Sequence, residues 1–164
     1  MKRARKSSKK LLKSPKVLIC SILAVVLTSL IGTRFTDVSG WYESVKPVIT
    51  PPNFVFGIVW TILFVLIAVA MYFSLSESKG KQRNKLICLF AANLVLNVLW
   101  SALFFGAHAP AWAFADLILL LISIIMLIKL SWKVSRLSTW LLLPYAVWVT
   151  FAGLLNYLIA FGLK

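Results

Sequence analysis

Apolar residues occur along the chain in five long runs, separated by short polar or charged stretches. Each run is close to the ~20 residues that an α-helix needs to cross the hydrocarbon core of a bilayer. The pattern therefore predicts an all-α, polytopic membrane protein built as a five-transmembrane-helix bundle. The spans are predicted at 17–35, 52–76, 84–106, 110–131 and 137–162, so that 17–164 form one domain.

Connections that are rich in lysine and arginine alternate along the chain with connections that are not. Residues 1–16 are strongly basic without any acid, and the stretches 77–83 and 129–136 are also basic. The loop 36–51 is nearly balanced in charge, and the turn 106–110 has no lysine or arginine. Because cytoplasmic loops collect these residues, the alternation predicts a cytoplasmic N-terminus and a C-terminus outside. The arm 1–16 is predicted to be disordered and to contact anionic lipid, and the absence of a convincing cleavage site favours a bacterial plasma membrane.

Composition excludes several classes of protein. The chain is 61% hydrophobic, with a net charge of +14. Such a charge can indicate nucleic-acid binding, but the basic residues lie in short tracts between apolar runs, so no nucleic-acid partner is predicted. Cys20 and Cys88 lie in apolar runs without metal-ligand spacing, so no metal site is predicted. No paired carboxylates, Ser/His/Asp set or phosphate loop indicates an enzyme, and no catalytic residue or obligatory cofactor is predicted.

Aromatic and polar residues recur at helical spacing inside three of the spans. These stripes are Phe56, Trp60 and Phe64; Asn93, Asn97, Trp100 and Phe104; and Tyr145, Trp148, Ala152 and Asn156. At ~1.5 Å of rise per residue, most members lie within roughly 9–20 Å of the same membrane surface. The pattern predicts an aromatic-lined cavity in that half of the membrane. The alternative for each asparagine is an ordinary hydrogen bond between neighbouring helices.

Asp116 is the only acidic residue placed within a predicted span. A carboxylate is costly in lipid, so it should face the bundle interior and have a partner. One interpretation is proton handling or contact with a polar ligand. The other is a helix-to-helix hydrogen bond with Asn97, Tyr145 or Trp60.

Four motifs follow one another in the stretch 41–164. They are Trp41-Tyr42-x-x-x-Lys46-Pro47-x-x-x-Pro51-Pro52, then Val59-Trp60-Thr61-Ile62-Leu63-Phe64, then Leu96-Asn97-x-x-Trp100-Ser101-x-x-Phe104-Phe105-Gly106, and Pro144-Tyr145-x-x-Trp148-x-x-Phe151-Ala152-x-x-Leu155-Asn156. In order and spacing the set resembles the TspO/MBR family, which comprises the tryptophan-rich sensory proteins and the mitochondrial translocator protein.

The resemblance implies a five-helix bundle, often a homodimer, with a pocket beneath the long first loop. The family's ligands are tetrapyrroles such as protoporphyrin IX, isoquinoline and benzodiazepine-type drugs and, in some members, cholesterol, so a tetrapyrrole or lipid-like partner is expected. The matching ligand-binding positions are Trp60, Asn97, Trp100, Asp116, Tyr145, Trp148, Ala152 and Asn156. The matching lid-loop positions are Trp41, Lys46, Pro47, Ile49, Pro51 and Pro52.

The family implies a sensory, regulatory or transport-related role for a bound porphyrin. The alternative is light- and oxygen-dependent porphyrin degradation, in which electron-rich indoles would take part. Ile49 stands where the family often has tryptophan, and this departure weakens that alternative. Porphyrin propionates are expected to meet Lys46 or Arg34 at the rim of the pocket. A small-xxx-small step from Ala102 to Gly106 would permit close helix approach in a homodimer.

Overall fold

The computed structural model describes residues 14–162, in which it contains six α-helices and no strand. Five of them are long and apolar enough to cross a membrane, so the all-α, five-span prediction is confirmed. They are α1 Pro15–Phe35, α3 Asn53–Glu77, α4 Gly80–Ser101, α5 Pro110–Trp132 and α6 Arg136–Phe161, and the short α2 is Trp41–Val45. All but the last residues of the predicted basic arm lie outside the described residues, as does Lys164.

Prolines and a glycine set several helix boundaries. α3 begins directly after Pro51 and Pro52, and α5 begins at Pro110, where a missing N–H costs no helical bond. α4 begins at Gly80, four residues before the predicted span, which leaves only 78–79 to connect it to α3. So short a connection places Gly80 at φ +52°, a conformation that glycine adopts without steric cost. α6 continues without interruption through Pro144.

The five long helices form a ring in the order α1, α3, α6, α5, α4. α5 and α6 share the most extensive contact, whereas α3 and α4, although consecutive in sequence, touch little. The end of the ring that carries the loop 36–52 and the turn 107–109 is called the lid end below. The opposite end, with the connections 78–79 and 133–135, is called the basic end.

A π-helical turn, Ala102–Gly106, extends α4 towards the lid end. Ala107 N donates to Ala102 O at 2.8 Å, which closes the wide turn. The sequence predicts only a regular helix over this stretch. Both Phe104 and Phe105 are buried here, although they are consecutive, because the wider turn alters the facing of successive residues. Gly106 lies against Phe35 of α1. The glycine of the small-xxx-small step therefore allows close packing between two helices of the same chain.

Candidate functional site

A cavity of about 360 Å³ lies at the lid end, between α1, α3 and α4. The residues that line it come from these helices, the loop 36–52 and the π-helical turn. They are Ser29, Gly32, Thr33, Thr36, Val38, Tyr42, Asn53, Phe56, Gly57, Trp60, Thr61, Phe64, Asn97, Trp100, Ser101 and Phe105. The lining therefore combines aromatic rings with hydroxyl and amide groups and contains no charged side chain.

Aromatic rings form the wall of the cavity on α3 and α4. The Trp60 ring lies 5.5 Å from Phe64 and 6.5 Å from Trp100. Trp100 in turn stacks on Phe104, with 5.3 Å between ring centroids and 17° between planes. Phe56 completes the α3 side one turn before Trp60. A flat apolar ligand would meet ring faces and edges on this wall.

The short helix α2 covers the cavity at the lid end. Tyr42 is only 4% exposed and meets Phe105 edge to face at 5.5 Å. Trp41 stacks on His108 at 4.6 Å and meets Phe104 edge to face at 5.5 Å. These contacts join the loop 36–52 to the π-helical turn and to the loop before α5.

Polar contacts tie the same lid to the start of α3. Glu43 accepts a hydrogen bond from Asn53 Nδ2 at 2.6 Å and pairs with Lys46 at 2.7 Å. The Lys46 and Asn53 hydrogen bonds hold the pKa of Glu43 below its usual range. Asn53 Nδ2 also donates to Val38 O at 3.4 Å, across the base of the loop.

A network of hydrogen bonds fixes the helices behind the aromatic wall. Asn97 Nδ2 donates to the Tyr145 hydroxyl at 3.2 Å, and that hydroxyl donates to Asn93 Oδ1 at 3.4 Å. Asn93 Nδ2 donates to Ser123 Oγ at 2.8 Å. The network links α4 to both α5 and α6, which is the helix-to-helix role that the sequence left open for the asparagines.

A second bridge holds the Trp100 indole. Trp100 Nε1 donates to Asn156 Oδ1 at 3.1 Å, and Asn156 Nδ2 donates to Pro110 O at 2.7 Å. One buried amide thus connects α4, α6 and the first residue of α5. Its donor and acceptor groups both serve the protein itself, so Asn156 acts on the cavity by orienting Trp100.

Three of the eight predicted ligand-binding residues, Trp60, Asn97 and Trp100, line the cavity. Ala152 and Asn156 instead line a separate void of about 20 Å³ beneath Tyr42. Tyr145 is fully buried behind the wall. The Trp148 side chain lies at a lipid-facing groove between α3 and α6, where its Nε1 is buried without a partner in the described part of the chain.

Asp116 differs from what the sequence led us to expect. The residue is 5% exposed and does not line the cavity, and both carboxylate oxygens lack a hydrogen-bond partner among residues 14–162. The predicted bond from Asn97, Tyr145 or Trp60 is not formed. Asn97 Nδ2 instead donates to the Tyr145 hydroxyl, and that hydroxyl donates to Asn93 Oδ1.

None of the six predicted lid residues lines the cavity. Trp41 and Lys46 make the contacts described above, so the Lys46 ammonium group is already paired with Glu43. Pro47 O accepts a turn bond from Thr50 N at 3.0 Å, and Pro52 O accepts one from Val55 N at 2.9 Å. Pro51 is half-buried, whereas Ile49 is 56% exposed.

From the first helix the sequence reasoning named only Arg34 for the pocket, at its rim, yet α1 supplies one side of the cavity. Ser29, Gly32, Thr33 and Thr36 all line it. A signal was available, since the four positions follow the i, i+3, i+4, i+7 spacing of one helix face. Small and hydroxyl residues at that spacing mark a helix face that leaves space beside it.

Comparison with known proteins gives concordant matches over most of the chain. The family model for the TspO/MBR family matches residues 18–161. The tryptophan-rich protein TspO of Archaeoglobus fulgidus is 41% identical over 145 residues, covering 87% of this chain and 94% of that protein. The human translocator protein is 34% identical over 140 residues, covering 82% of this chain and 83% of its own. Protein CrtK of Rhodobacter capsulatus is 35% identical over 122 residues, covering 71% and 74%.

Proposed function

The chain belongs to the TspO/MBR family, and from that premise we propose that it binds tetrapyrroles of the protoporphyrin IX type, or similar hydrophobic ligands, in the cavity between α1, α3 and α4. The bound ligand serves a sensory, regulatory or transport-related role. The observation that carries the proposal is the wall formed by Phe56, Trp60, Phe64, Trp100 and Phe105 beneath a closed lid.

The chemistry of the lining suits a flat, largely apolar molecule. Ligand sites combine an apolar wall with a few polar groups that set orientation, and their volumes are typically ~300–1,000 Å³. The cavity, at about 360 Å³, is at the small end of that range. A complete porphyrin therefore requires part of its edge to extend past the rim. Arg34, exposed at the end of α1, is the cation we assign to a propionate, because Lys46 is already paired with Glu43.

The charges of the connections indicate the orientation of the protein in the membrane. The connections at the basic end carry Lys79, Lys133 and nearby cations, whereas the turn at the lid end carries none. We place the basic end in the cytoplasm and the cavity in the outer half of a bacterial plasma membrane.

A titration with protoporphyrin IX in the dark tests the proposal. The purified protein is reconstituted in lipid and its tryptophan fluorescence is followed. Saturable quenching is expected, and Trp60→Leu should weaken binding about tenfold, because a lost ring contact of ~1 kcal/mol adds to lost apolar contact area. Trp112→Leu is the matched control and should change the affinity by less than about twofold, because Trp112 is 72% exposed and does not line the cavity. Quenching that never saturates, or equal effects of the two substitutions, would remove this cavity as the site.

Light-dependent porphyrin degradation is a second candidate, favoured by one observation. The indoles of Trp60 and Trp100 both line the cavity, so a bound macrocycle would touch two electron-rich rings. Illumination of the saturated complex in air should then produce new absorbing species, and Trp100→Phe should slow their formation. Loss of porphyrin absorbance at the same rate without protein would exclude this activity.

A further inference from the structure

The wall of the cavity is incomplete on one side. Among the lining residues, Thr33, Thr36, Gly57 and Thr61 are also exposed on the surface of the protein. They lie on the facing sides of α1 and α3 or just past the end of α1. We propose that the seam between α1 and α3 is a port that opens to the lipid, through which the cavity takes up ligands already dissolved in the bilayer. The ligand's identity rests on the proposed function, but the port does not.

The port lies within the membrane-spanning parts of α1 and α3. Gly57 and Thr61 are the fifth and ninth residues of α3. They lie roughly 6 and 12 Å along the helix from its start. Thr33 lies two residues before the end of α1. An opening at this depth faces lipid, and the absence of charged side chains from the lining makes it passable for an apolar molecule.

In contrast to the seam between α1 and α3, the lid end of the cavity is closed by side-chain contacts. Tyr42, which covers the cavity there, is almost fully buried against Phe104 and Phe105. Glu43 links the lid to Asn53 at the start of α3. A ligand arriving from water would have to break these contacts, whereas one arriving between α1 and α3 would not.

Among the described residues, no hydrogen bond joins α1 to α3 across the seam. Thr33 donates to Leu30 O and Thr36 to Gly32 O, both at 3.0 Å and both within the chain segment of α1. Thr61 donates to Gly57 O at 2.7 Å within α3. Since each hydroxyl is satisfied locally, the helices can part at this point without leaving a donor unpaired in lipid.

Gly57 leaves space at the centre of the seam. A Cβ built on this residue would have no neighbouring atom within 4 Å. A larger side chain should therefore fold normally and narrow the port. Ile58, which follows it and is 56% exposed, offers a matched control on the surface of the same helix.

Collision measurements on a nitroxide test the port without any ligand. Cys20 and Cys88 are replaced by alanine, and a label is attached at Ser29→Cys, on the cavity wall. Ile22→Cys, on the exposed side of α1, serves as the lipid reference, and Ser39→Cys, in the loop, serves as the water reference. In vesicles, the Ser29 label should resemble the Ile22 label, with more collisions with oxygen than with a water-soluble nickel chelate. Collisions like those of the Ser39 label would overturn the port.

Binding kinetics with protoporphyrin IX give the second readout. Gly57→Leu should lower the association rate by about threefold or more, and the dissociation rate should fall with it, because a narrowed route slows passage both ways. Since Gly57 also lines the cavity, the two rates rather than Kd are the readout. Ile58→Leu should change neither rate. Faster dissociation with unchanged association would mean that the side chain only fills the cavity, and would refute the port. If the parent protein binds no protoporphyrin, the proposed ligand fails while the nitroxide comparison still decides the port.

Discussion

The bridge from Trp100 through Asn156 to Pro110 gives the sharpest test of how the cavity wall is held. Asn156→Ala removes both hydrogen bonds of the amide and leaves the Trp100 N–H unpaired at a site where Asn156 is 1% and Trp100 9% exposed. Hydrogen bonds between transmembrane helices contribute ~0.6 kcal/mol on average and up to ~1.7 kcal/mol. For two buried bonds we expect a loss of about 2 kcal/mol in the free energy of unfolding.

A double-mutant cycle separates the indole bond from the rest of that loss. Trp100→Phe keeps an aromatic ring beside Phe104 but has no N–H. Combined with Asn156→Ala, it should show a coupling energy of about 1 kcal/mol, because the two side chains share one bond. The assay is reversible unfolding of the reconstituted protein by a denaturing detergent, with helical circular dichroism as the signal.

Thr150→Ala is the control for this cycle. Thr150 is exposed on the same helix and donates only to Ala146 O at 2.8 Å. Its removal should cost less than about 0.5 kcal/mol. The reasoning would be refuted by a coupling energy near zero, or by an Asn156→Ala variant as stable as Thr150→Ala.

Three further predictions concern packing, the lid and the buried acid. A Cβ on Gly153 would lie 3.0 Å from Leu117 Cδ2, so Gly153→Val should cost about 1–3 kcal/mol in thermal unfolding. Leu117→Ala should reduce the cost of that substitution, and an equal cost in both backgrounds would contradict the contact. The Lys46 contact lowers the pKa of Glu43, so its stabilisation is complete at neutral pH and is lost as pH falls through that lowered pKa. The difference in unfolding midpoint between the parent and Glu43→Gln should therefore shrink as pH falls below about 4.3, the ordinary glutamate pKa, and vanish below the lowered pKa. A difference that grows on acidification would contradict the reasoning. Asp116→Asn should be at least as stable as the parent at neutral pH and change ligand affinity by less than about twofold, because the carboxylate has no partner among the described residues and lies outside the cavity. A loss above about 1 kcal/mol would show that the charge is needed.

The fold could be predicted because its causes are local to the sequence. Span length and the prolines at 51, 52 and 110 set the helices and most of their starts. The start of α4 at Gly80 was harder to predict, because the polar residues 80–83 resemble a loop although they form the first turn of the helix. The π-helical turn could not be predicted, because residues 102–106 are equally compatible with a regular α-helix. In the folded chain its residues pack against the lid and α1.

The candidate site was predicted less completely, for two physical reasons. Helical spacing finds a stripe but does not say which neighbour it faces. The stripe of Phe56, Trp60 and Phe64 lines the cavity, whereas Trp148 from a similar stripe packs on Phe56 and lines the outer groove between α3 and α6. Moreover, aromatic residues attract attention in a sequence, while a cavity also requires small residues that leave room. The α1 face from Ser29 to Thr36 supplies that room.

The distribution of polar side chains explains why the bundle has one fixed side and one open side. An amide presents both donors and an acceptor and cannot satisfy them within its own helix. Asn93 and Asn97 on α4 therefore reach across to α5 and α6, and Asn156 on α6 bonds to α4 and α5. A threonine hydroxyl can donate to a carbonyl one turn earlier, and Thr33 and Thr61 do so. Asparagines on two helices, α4 and α6, therefore hold the wall against which a ligand lies. Threonine and glycine on α1 and α3 leave the facing seam without cross-links, and there the cavity reaches the surface.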